Sequence, residues 1–252
     1  DGMQCRTSVY GKIADDADDR LLYQAIAAAG EPFSDWHKWV PADATSYSLS
    51  TGMNLHVLYE GIMDFVDREF PEANEGLAKF AEAQDKLDVH LDADVLQSFP
   101  GGSVSVSFPL EQADGTTRSQ SVAAHRCTNP DKVKELIHRA IEGAKNVPFL
   151  AAQQLDLTPC DNLEGFDELE CGLLTMAGAR PVVGFEDGWM ICASSPAAAE
   201  HFLEVRRGEA ASIEGAESLA RFNMKADGPV ATVGYSDVGA SVRQTADAIE
   251  KA

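Results

Sequence analysis

The residues of this chain that could carry out chemistry are its histidines and cysteines. None of the six histidines has a second histidine within a helical turn, and no two of the five cysteines have the Cys-x-x-Cys spacing of a zinc site. His125 and Cys127 are two positions apart in a strand pattern, so their side chains share a face and could meet as a nucleophile pair. No orienting acid or oxyanion donor is identifiable beside them, and we predict no catalytic site there.

Signature motifs of nucleotide-binding and hydrolytic enzymes are absent from the sequence. It has no GxSxG, no GxxxxGK[ST], no GxGxxG that opens a helix and no HExxH. Asp and Glu are so abundant that a chance carboxylate pair is inevitable, and a glycosidase cannot be argued from one. We therefore predict a protein that is not an enzyme and has no cofactor. Substituting His90, His125, Ser195 or Asp187 is expected to abolish no defined reaction.

One acidic segment fits two structures with different chemistry. As a strand, it places four potential metal ligands on one face: Asp88, His90, Asp92 and Asp94. As a helix, it gives the apolar residues between Leu91 and Phe99 a common face, and Pro100-Gly101-Gly102 ends it. The helix accounts for more residues and for the stop, so we predict a helix and no metal site.

Two of the cysteines bracket a polar stretch. Cys160 and Cys171 could close it as a disulfide in an oxidising compartment. The alternative is that all the cysteines are buried thiols, because free cysteine packs as a small hydrophobic residue. Cys127 and Cys192 lie in apolar strand patterns, so we expect these two to be buried and Cys160 and Cys171 to lie nearer the surface.

Aromatic residues supply a candidate lining for a hydrophobic-ligand pocket between helices and sheet. The set is Trp36, Trp39, Phe65, Phe70 and Phe80. Aromatic side chains in an irregular segment, such as the two tryptophans, can form a ligand platform, but more often they close the end of a core. Both interpretations stay open.

The composition and net charge of the chain disfavour some classes of binding partner. The formal net charge is −21, from 41 acidic and 20 basic residues, and such a field repels nucleic acid and anionic lipid. No run of about 18 apolar residues exists, so membrane insertion is not predicted either. Hydrophobic residues make up 44% of the chain, which is typical of a globular protein with a core. The remaining partners are another protein or a hydrophobic ligand.

Polarity patterns predict an α+β fold with an antiparallel sheet built from hairpins and helices packed on one face. Hairpins are indicated at 103–127 and 181–193, where polarity alternates around glycine turns. Each hairpin leads to a cap residue and a proline, Asn129-Pro130 or Ser195-Pro196, which begin amphipathic helices at 130–143 and 196–207.

The order of these elements suggests internal repetition. Hairpin, cap and helix recur at 103–143 and 181–208, and a strand–glycine–helix unit recurs at 4–29, 45–70 and 230–252. We predict that residues 1–40 comprise the end of a preceding repeat, a strand and a helix, together with the linker that follows it. Residues 41–240 would form one full α+β repeat, and residues 241–252 begin a further helix.

Several segments, taken in order, resemble a known family. They are Val40-Pro41-Ala42-Asp43, Leu91 to Gly102, Asn129 to Val133, Asp187-Gly188-Trp189 with Ser194-Ser195-Pro196, and Gly208 through Ser212 to Phe222. The set resembles an uncharacterised family, a domain of unknown function, of large extracytoplasmic bacterial proteins with repeated α+β units. The resemblance implies a periplasmic or secreted location within a longer anchored protein, and it implies no activity.

Three functions from different classes follow. The first is a non-catalytic extracytoplasmic scaffold or interaction module of unknown partner. The alternative is a carrier of a hydrophobic ligand in a pocket between helices and sheet, and the second alternative is a cryptic hydrolase. An apolar cavity large enough for an acyl chain would favour the carrier. A cleft with histidine and carboxylates of shifted pKa would favour the hydrolase.

Overall fold

A single antiparallel sheet organises the part of the chain that the computed structural model describes, residues 20–111, 115–176, 178–214, 216, 219, 230–237 and 239. Its eight strands lie in the order β4-β5-β6-β7-β3-β2-β1-β8. They are β1 (Ser46–Ser50), β2 (Ser103–Glu111), β3 (Thr117–Arg126), β4 (Asp156–Pro159), β5 (Phe166–Glu170), β6 (Val182–Glu186), β7 (Trp189–Ala193) and β8 (Thr232–Ser236). The two predicted hairpins meet where β3 pairs with β7, which confirms an α+β fold with an antiparallel sheet.

Helices connect and cover these strands. They are α1 (Leu21–Ala27), α2 (Leu55–Glu69), α3 (Asn74–Leu87), α4 (Pro130–Ala144), α5 (Pro148–Ala151), α6 (Gly172–Met176) and α7 (Pro196–Arg207). Short 3₁₀ turns cover Trp36–Trp39, Pro71–Ala73 and Leu96–Ser98, and a π-helical turn covers Leu91–Val95. The predictions on residues 4–11 and 240–252, and most of the helix predicted after Ser212, lie outside the described residues.

The hairpin of β6 and β7 shows how local sequence sets the sheet. Asp187 and Gly188 both have positive φ, 49° and 76°, the backbone that a two-residue hairpin turn requires. After the hairpin, the Ser195 hydroxyl accepts a hydrogen bond from the Ala198 amide, and Pro196 takes the first helical position. Turn, strand and cap therefore form where the residue types predict them.

The strand register divides the sheet into two faces, which we call the inner face and the outer face. One row of paired residues on the inner face is Leu49, Val104, Ala124, Ile191 and Gly184. The neighbouring row on the outer face is Ser48, Ser105, Ala123, Cys192 and Val183. Successive side chains alternate between the faces, and on β1, β2 and β7 the inner face carries the larger apolar groups.

The main hydrophobic core lies on the inner face, beneath α7. Phe202 and Leu203 of α7 are fully buried there. The Trp39 ring packs 4.4 Å from Trp189 and 6.1 Å from Phe202, and Trp36 packs against Tyr47. The two tryptophans therefore close the core, as aromatic residues in irregular segments commonly do.

Helix α4 lies on the outer face, so the two helices that follow the hairpins cover opposite faces. Lys134 of α4 reaches Asp167 of β5, with Nζ 3.0 Å from Oδ2. The expectation that both helices pack on one face is wrong in this respect. An apolar stripe shows that one side of a helix is buried, but not which face of the sheet buries it.

The path into α4 depends on contacts that are distant in sequence. The Thr128 amide donates to the Ser98 carbonyl, and its hydroxyl donates to the Gln97 carbonyl at 3.0 Å. These bonds tie the start of α4 to the turn before β2. No local pattern around the cap at Asn129 reveals them.

Neither a membrane-spanning helix nor the predicted repeats emerge from the described part of the chain. Within the described residues, no helix is both long and apolar enough to cross a bilayer. The internal repetition and the division at residues 40 and 240 stay predictions, because all eight strands belong to one sheet and the flanking segments are not described.

Candidate functional site

An apolar cavity of about 430 Å³ lies between α4 and the outer face of the sheet. Ile137 and Ile141, one helical turn apart on α4, form its roof. Ala123, Val183 and Cys192 of the outer row form its floor. The cavity therefore lies directly beneath the apolar stripe that the sequence predicts for α4.

The walls of the cavity differ in polarity from one side to the other. Leu157 and Leu169, from β4 and β5, and Pro181 make one side apolar. The other side carries the serines Ser105 and Ser121, on β2 and β3. A molecule held here would meet hydrocarbon at one end and hydroxyl groups at the other.

Small side chains on the floor explain why the space is not filled. The outer-face positions of β2, β3 and β7 beneath α4 carry serine, alanine and cysteine, whereas Val122 and Ile191 on the inner face are packed in the main core. Protein interiors are close-packed, so a row of small residues under a helix leaves a void unless the helix moves closer.

An ion-paired group holds α4 above the sheet. Asp167 of β5 is only 8% exposed, and it faces Lys134 Nζ at 3.0 Å and His138 Nε2 at 3.5 Å. These two α4 residues flank Ile137 in the roof. Because a buried carboxylate is costly without partners, this group fixes the position of the helix.

The polar groups at the serine side are also held in place. The Ser194 hydroxyl donates to Gln120 Oε1 at 2.6 Å and accepts from the Ser121 amide at 3.0 Å. Gln120 also accepts from the Ser195 hydroxyl at 2.9 Å. Ser105 and Ser121 themselves are exposed at the mouth of the cavity.

The burial prediction for the cysteines is confirmed for Cys127 and is wrong for Cys160 and Cys192. All four that the structure describes are free thiols, so it contains no Cys160–Cys171 disulfide. Cys127 and Cys160 are buried, whereas Cys192 is only half-buried because it faces the outer side and the cavity. Burial raises the pKa of the Cys192 and Cys127 thiols, which keeps both protonated and weakly reactive near neutral pH.

The predicted aromatic lining is not the lining of this cavity. Trp36 and Trp39 lie in the inner core. Phe65 and Phe70 contact each other at 5.8 Å on the exposed side of α2, and Phe80 is exposed on α3. The structure therefore divides this set between two regions, and none of the five aromatic residues lines the cavity.

The acidic set of residues 88–94 is dispersed among different partners. Asp88 pairs with Arg139 at 3.1 Å, Asp94 with Lys132 at 3.5 Å, and His90 lies 3.9 Å from Asp85. The segment is helical from Leu91 to Ser98, as predicted, so its side chains do not share one strand face.

The other residues considered for chemistry are also apart. His125 is exposed on the outer face, whereas Cys127 is buried. Ser195 caps α7, and Asp187 lies in a hairpin turn. Their positions are accounted for by the fold, and the expectation that the protein is not an enzyme stays a prediction.

Sequence reasoning missed the wall formed by β4 and β5. The residues between α4 and β6 are mostly polar and without a clear period, so the sequence patterns predict no element that contains Leu157 or Leu169. The alternation of Asp156-Leu157-Thr158 and of Glu168-Leu169-Glu170 is the available signal. Strands of four or five residues are too short for such a signal to stand out.

Comparisons with known proteins identify no relative. No family model matches the chain, and no match is found among curated proteins or among solved structures. The resemblance to the extracytoplasmic family stays a prediction. A function has to be argued from the geometry alone.

Proposed function

We propose that this chain is a non-catalytic binding protein that holds a small apolar molecule in the cavity beneath α4. The observation that carries the proposal is the cavity itself. Its volume of about 430 Å³ falls within the range of roughly 300–1,000 Å³ that is usual for small-molecule sites. Its roof, floor and one wall are apolar, which is the composition that favours a hydrophobic ligand.

The two sides of the cavity indicate the kind of ligand. The apolar wall at Leu157 and Leu169 suits a hydrocarbon body, and the hydroxyl groups of Ser105 and Ser121 suit one hydrogen-bonding group at the other end. The net charge of −21 disfavours an anionic head group. An uncharged amphipathic molecule fits these features.

Carriage is favoured over catalysis by the chemistry of the lining. Among the lining residues, Cys192 is the group with a shifted pKa, and its shift is upward, away from a reactive thiolate. Among the described residues that line the cavity there is no histidine. Acid–base catalysis requires a titratable group within hydrogen-bond reach of the substrate, and the lining offers none beyond that thiol.

A scaffold that binds another protein is the second candidate, and a different surface favours it. Apolar side chains are exposed along the first three helices, among them Leu22 and Ile26 of α1, Ile62 and Phe65 of α2, and Phe80 of α3. Exposed apolar patches of this kind commonly mark interaction sites. An extracytoplasmic location, which rests on the family resemblance, is part of both proposals.

Binding of the neutral fluorophore N-phenyl-1-naphthylamine tests the carrier. The native protein is expected to bind one molecule saturably, with enhanced and blue-shifted emission. Ala123→Leu places a larger side chain on the floor and should weaken binding at least tenfold. Ala140→Leu, at an exposed position of α4, is the matched control and should bind like the native protein.

Two further results complete this test. Circular dichroism and thermal unfolding of both variants establish that they are folded. Unchanged binding by folded Ala123→Leu contradicts the carrier. Loss of binding in Phe65→Ser instead assigns the fluorophore to the exposed helices, which supports the scaffold.

A further inference from the structure

A second cluster of side chains lies away from the cavity, where α2 meets the turn before β2. His56 and Glu60 lie one helical turn apart on α2, and Asp92 comes from the π-helical turn Leu91–Val95. His56 Nδ1 is 2.6 Å from Asp92 Oδ1, and His56 Nε2 is 3.4 Å from Glu60 Oε2. One potential ligand atom from each of the three residues lies within 4.8 Å of the other two.

Neighbouring groups hold the histidine and the aspartate in position. The Asn54 side chain accepts hydrogen bonds from the His56 and Val57 amides, which fixes the first turn of α2. Gln97 Nε2 donates to Asp92 Oδ2 at 3.2 Å, which leaves Oδ1 directed at His56. Such outer contacts orient the ligands in protein metal sites.

The charge of the cluster is not balanced by a basic residue. Within the described part of the chain, neither Glu60 nor Asp92 forms an ion pair with lysine or arginine. Asp88 and Asp94, on the same segment as Asp92, are paired with Arg139 and Lys132. The two carboxylates beside His56 therefore differ from their neighbours, because among the described residues neither of them has a lysine or arginine partner.

We propose that His56, Glu60 and Asp92 bind one divalent transition-metal ion, with Zn²⁺ as the best fit. An imidazole nitrogen and carboxylate oxygens are ordinary zinc ligands, and their atoms lie about 3.3 Å apart around a tetrahedral ion with bonds of about 2.0 Å. The contacts at 2.6 Å and 3.4 Å involve the two different ring nitrogens of His56, of which one ion binds only one. One ligand atom from each residue lies within 4.8 Å of the other two, so side-chain rotation has to bring the three atoms together around the ion. Three protein ligands leave the fourth position to water.

The helix brings the first two ligands together, and only the tertiary fold adds the third. The spacing of His56 and Glu60 is the i, i+4 spacing that aligns side chains on one helical face. Asp92 lies 36 residues from His56 along the chain. This explains why a search for local motifs predicts no metal site here.

Titration of the full chain with ZnCl₂ or CoCl₂, each as the only metal, tests the proposal. Calorimetry should show one Zn²⁺ per chain. Bound Co²⁺ should give visible absorption bands without the sulfur-to-cobalt charge transfer that cysteine ligands produce. His56→Ala and Asp92→Asn should each weaken binding at least tenfold.

The matched control is His90→Ala, which removes an imidazole from the same segment, one whose Nε2 lies 3.9 Å from Asp85. It should bind Zn²⁺ as the native protein does. Unchanged binding in His56→Ala, or a sulfur charge-transfer band in the native protein, overturns the proposal. If His56→Ala fails to fold by circular dichroism, Glu60→Gln decides, because this residue is exposed and its amide keeps the side-chain shape.

Discussion

Helices α4 and α7 follow similar hairpins and begin with the same device, yet they pack differently. Each starts with a capping side chain followed by proline, Asn129-Pro130 or Ser195-Pro196. Helix α7 buries five residues against the inner face, whereas α4 buries only Val133. Between α4 and the outer face lies the cavity.

The difference lies in what each helix faces. Beneath α7 are large apolar residues of the sheet together with Trp39, and these fill the space. Beneath α4 are Ala123 and Cys192, and the helix is held by the ion pair of Asp167 with Lys134 and by its contact with His138. A helix therefore serves as a core element or as a cavity roof according to the strands below it.

Truncating a large residue in each helix should give the largest contrast in stability. Phe202→Ala in α7 removes a fully buried ring and should lower the free energy of unfolding by about 3–5 kcal/mol. Ile137→Ala in α4 enlarges a space that already exists, and we expect a cost of about 1 kcal/mol. Urea denaturation of both variants measures this. Equal losses would mean that α4 is packed as tightly as α7.

Alkaline pH should destabilise the fold through the ionisation of Tyr47 on the inner face. Burial, and then the neighbouring Tyr235, raise the pKa of Tyr47 to about 12 from 10.0. The unfolded chain loses this proton first, so the stabilisation is complete below pH 10 and is lost as the pH rises toward 12. Each unit of difference between the pKa of the folded and the unfolded chain is worth about 1.4 kcal/mol, so we expect the free energy of unfolding to fall by about 2–3 kcal/mol.

Denaturation at several pH values between 9 and 12 checks this expectation, with Tyr47→Phe as the test variant. The variant should lose most of the decline, because it has no phenol to ionise. Tyr59→Phe, on α2 outside the inner core, serves as the control. A decline of equal size in Tyr47→Phe would assign the effect to other groups.

Adjacent alanines on β3 offer the finest comparison. Ala124 faces the filled inner side and is fully buried, whereas Ala123 faces the cavity. Leucine at Ala124 should overpack the core and cost about 1–3 kcal/mol. Leucine at Ala123 should be accommodated, with a change within about 0.5 kcal/mol in either direction. Thermal unfolding distinguishes them, and a large loss in Ala123→Leu would show that the floor cannot accept more volume.

Much of the fold could be predicted from local patterns. Alternation predicted β2 and β7, and cap, proline and apolar stripe predicted α4 and α7 to within a residue or two. These signals are strong because each depends on neighbours a few residues away. Strands β4 and β5 were not found, because they are short, partly polar and lie at one edge of the sheet.

The two candidate sites could be predicted from the sequence to a smaller extent than the fold. The sequence predicts an amphipathic helix at 130–143, but not that Ile137 and Ile141 on it would roof a cavity. The aromatic residues Phe65 and Phe80 have the composition of a pocket lining, yet they lie on exposed helices. Residue type indicates what a side chain prefers, whereas its neighbours across the sheet decide what it contacts.

The sequence by itself determined the local elements, their caps and turns, and which residues share a side of each helix or strand. These depend on backbone sterics and on periodicity, which act over one or two turns of chain. Only the tertiary structure decided that α4 and α7 cover opposite faces, that Ala123 and Leu169 border one cavity, and that Asp92 reaches His56. Those outcomes depend on packing between segments distant along the chain, which no local pattern encodes.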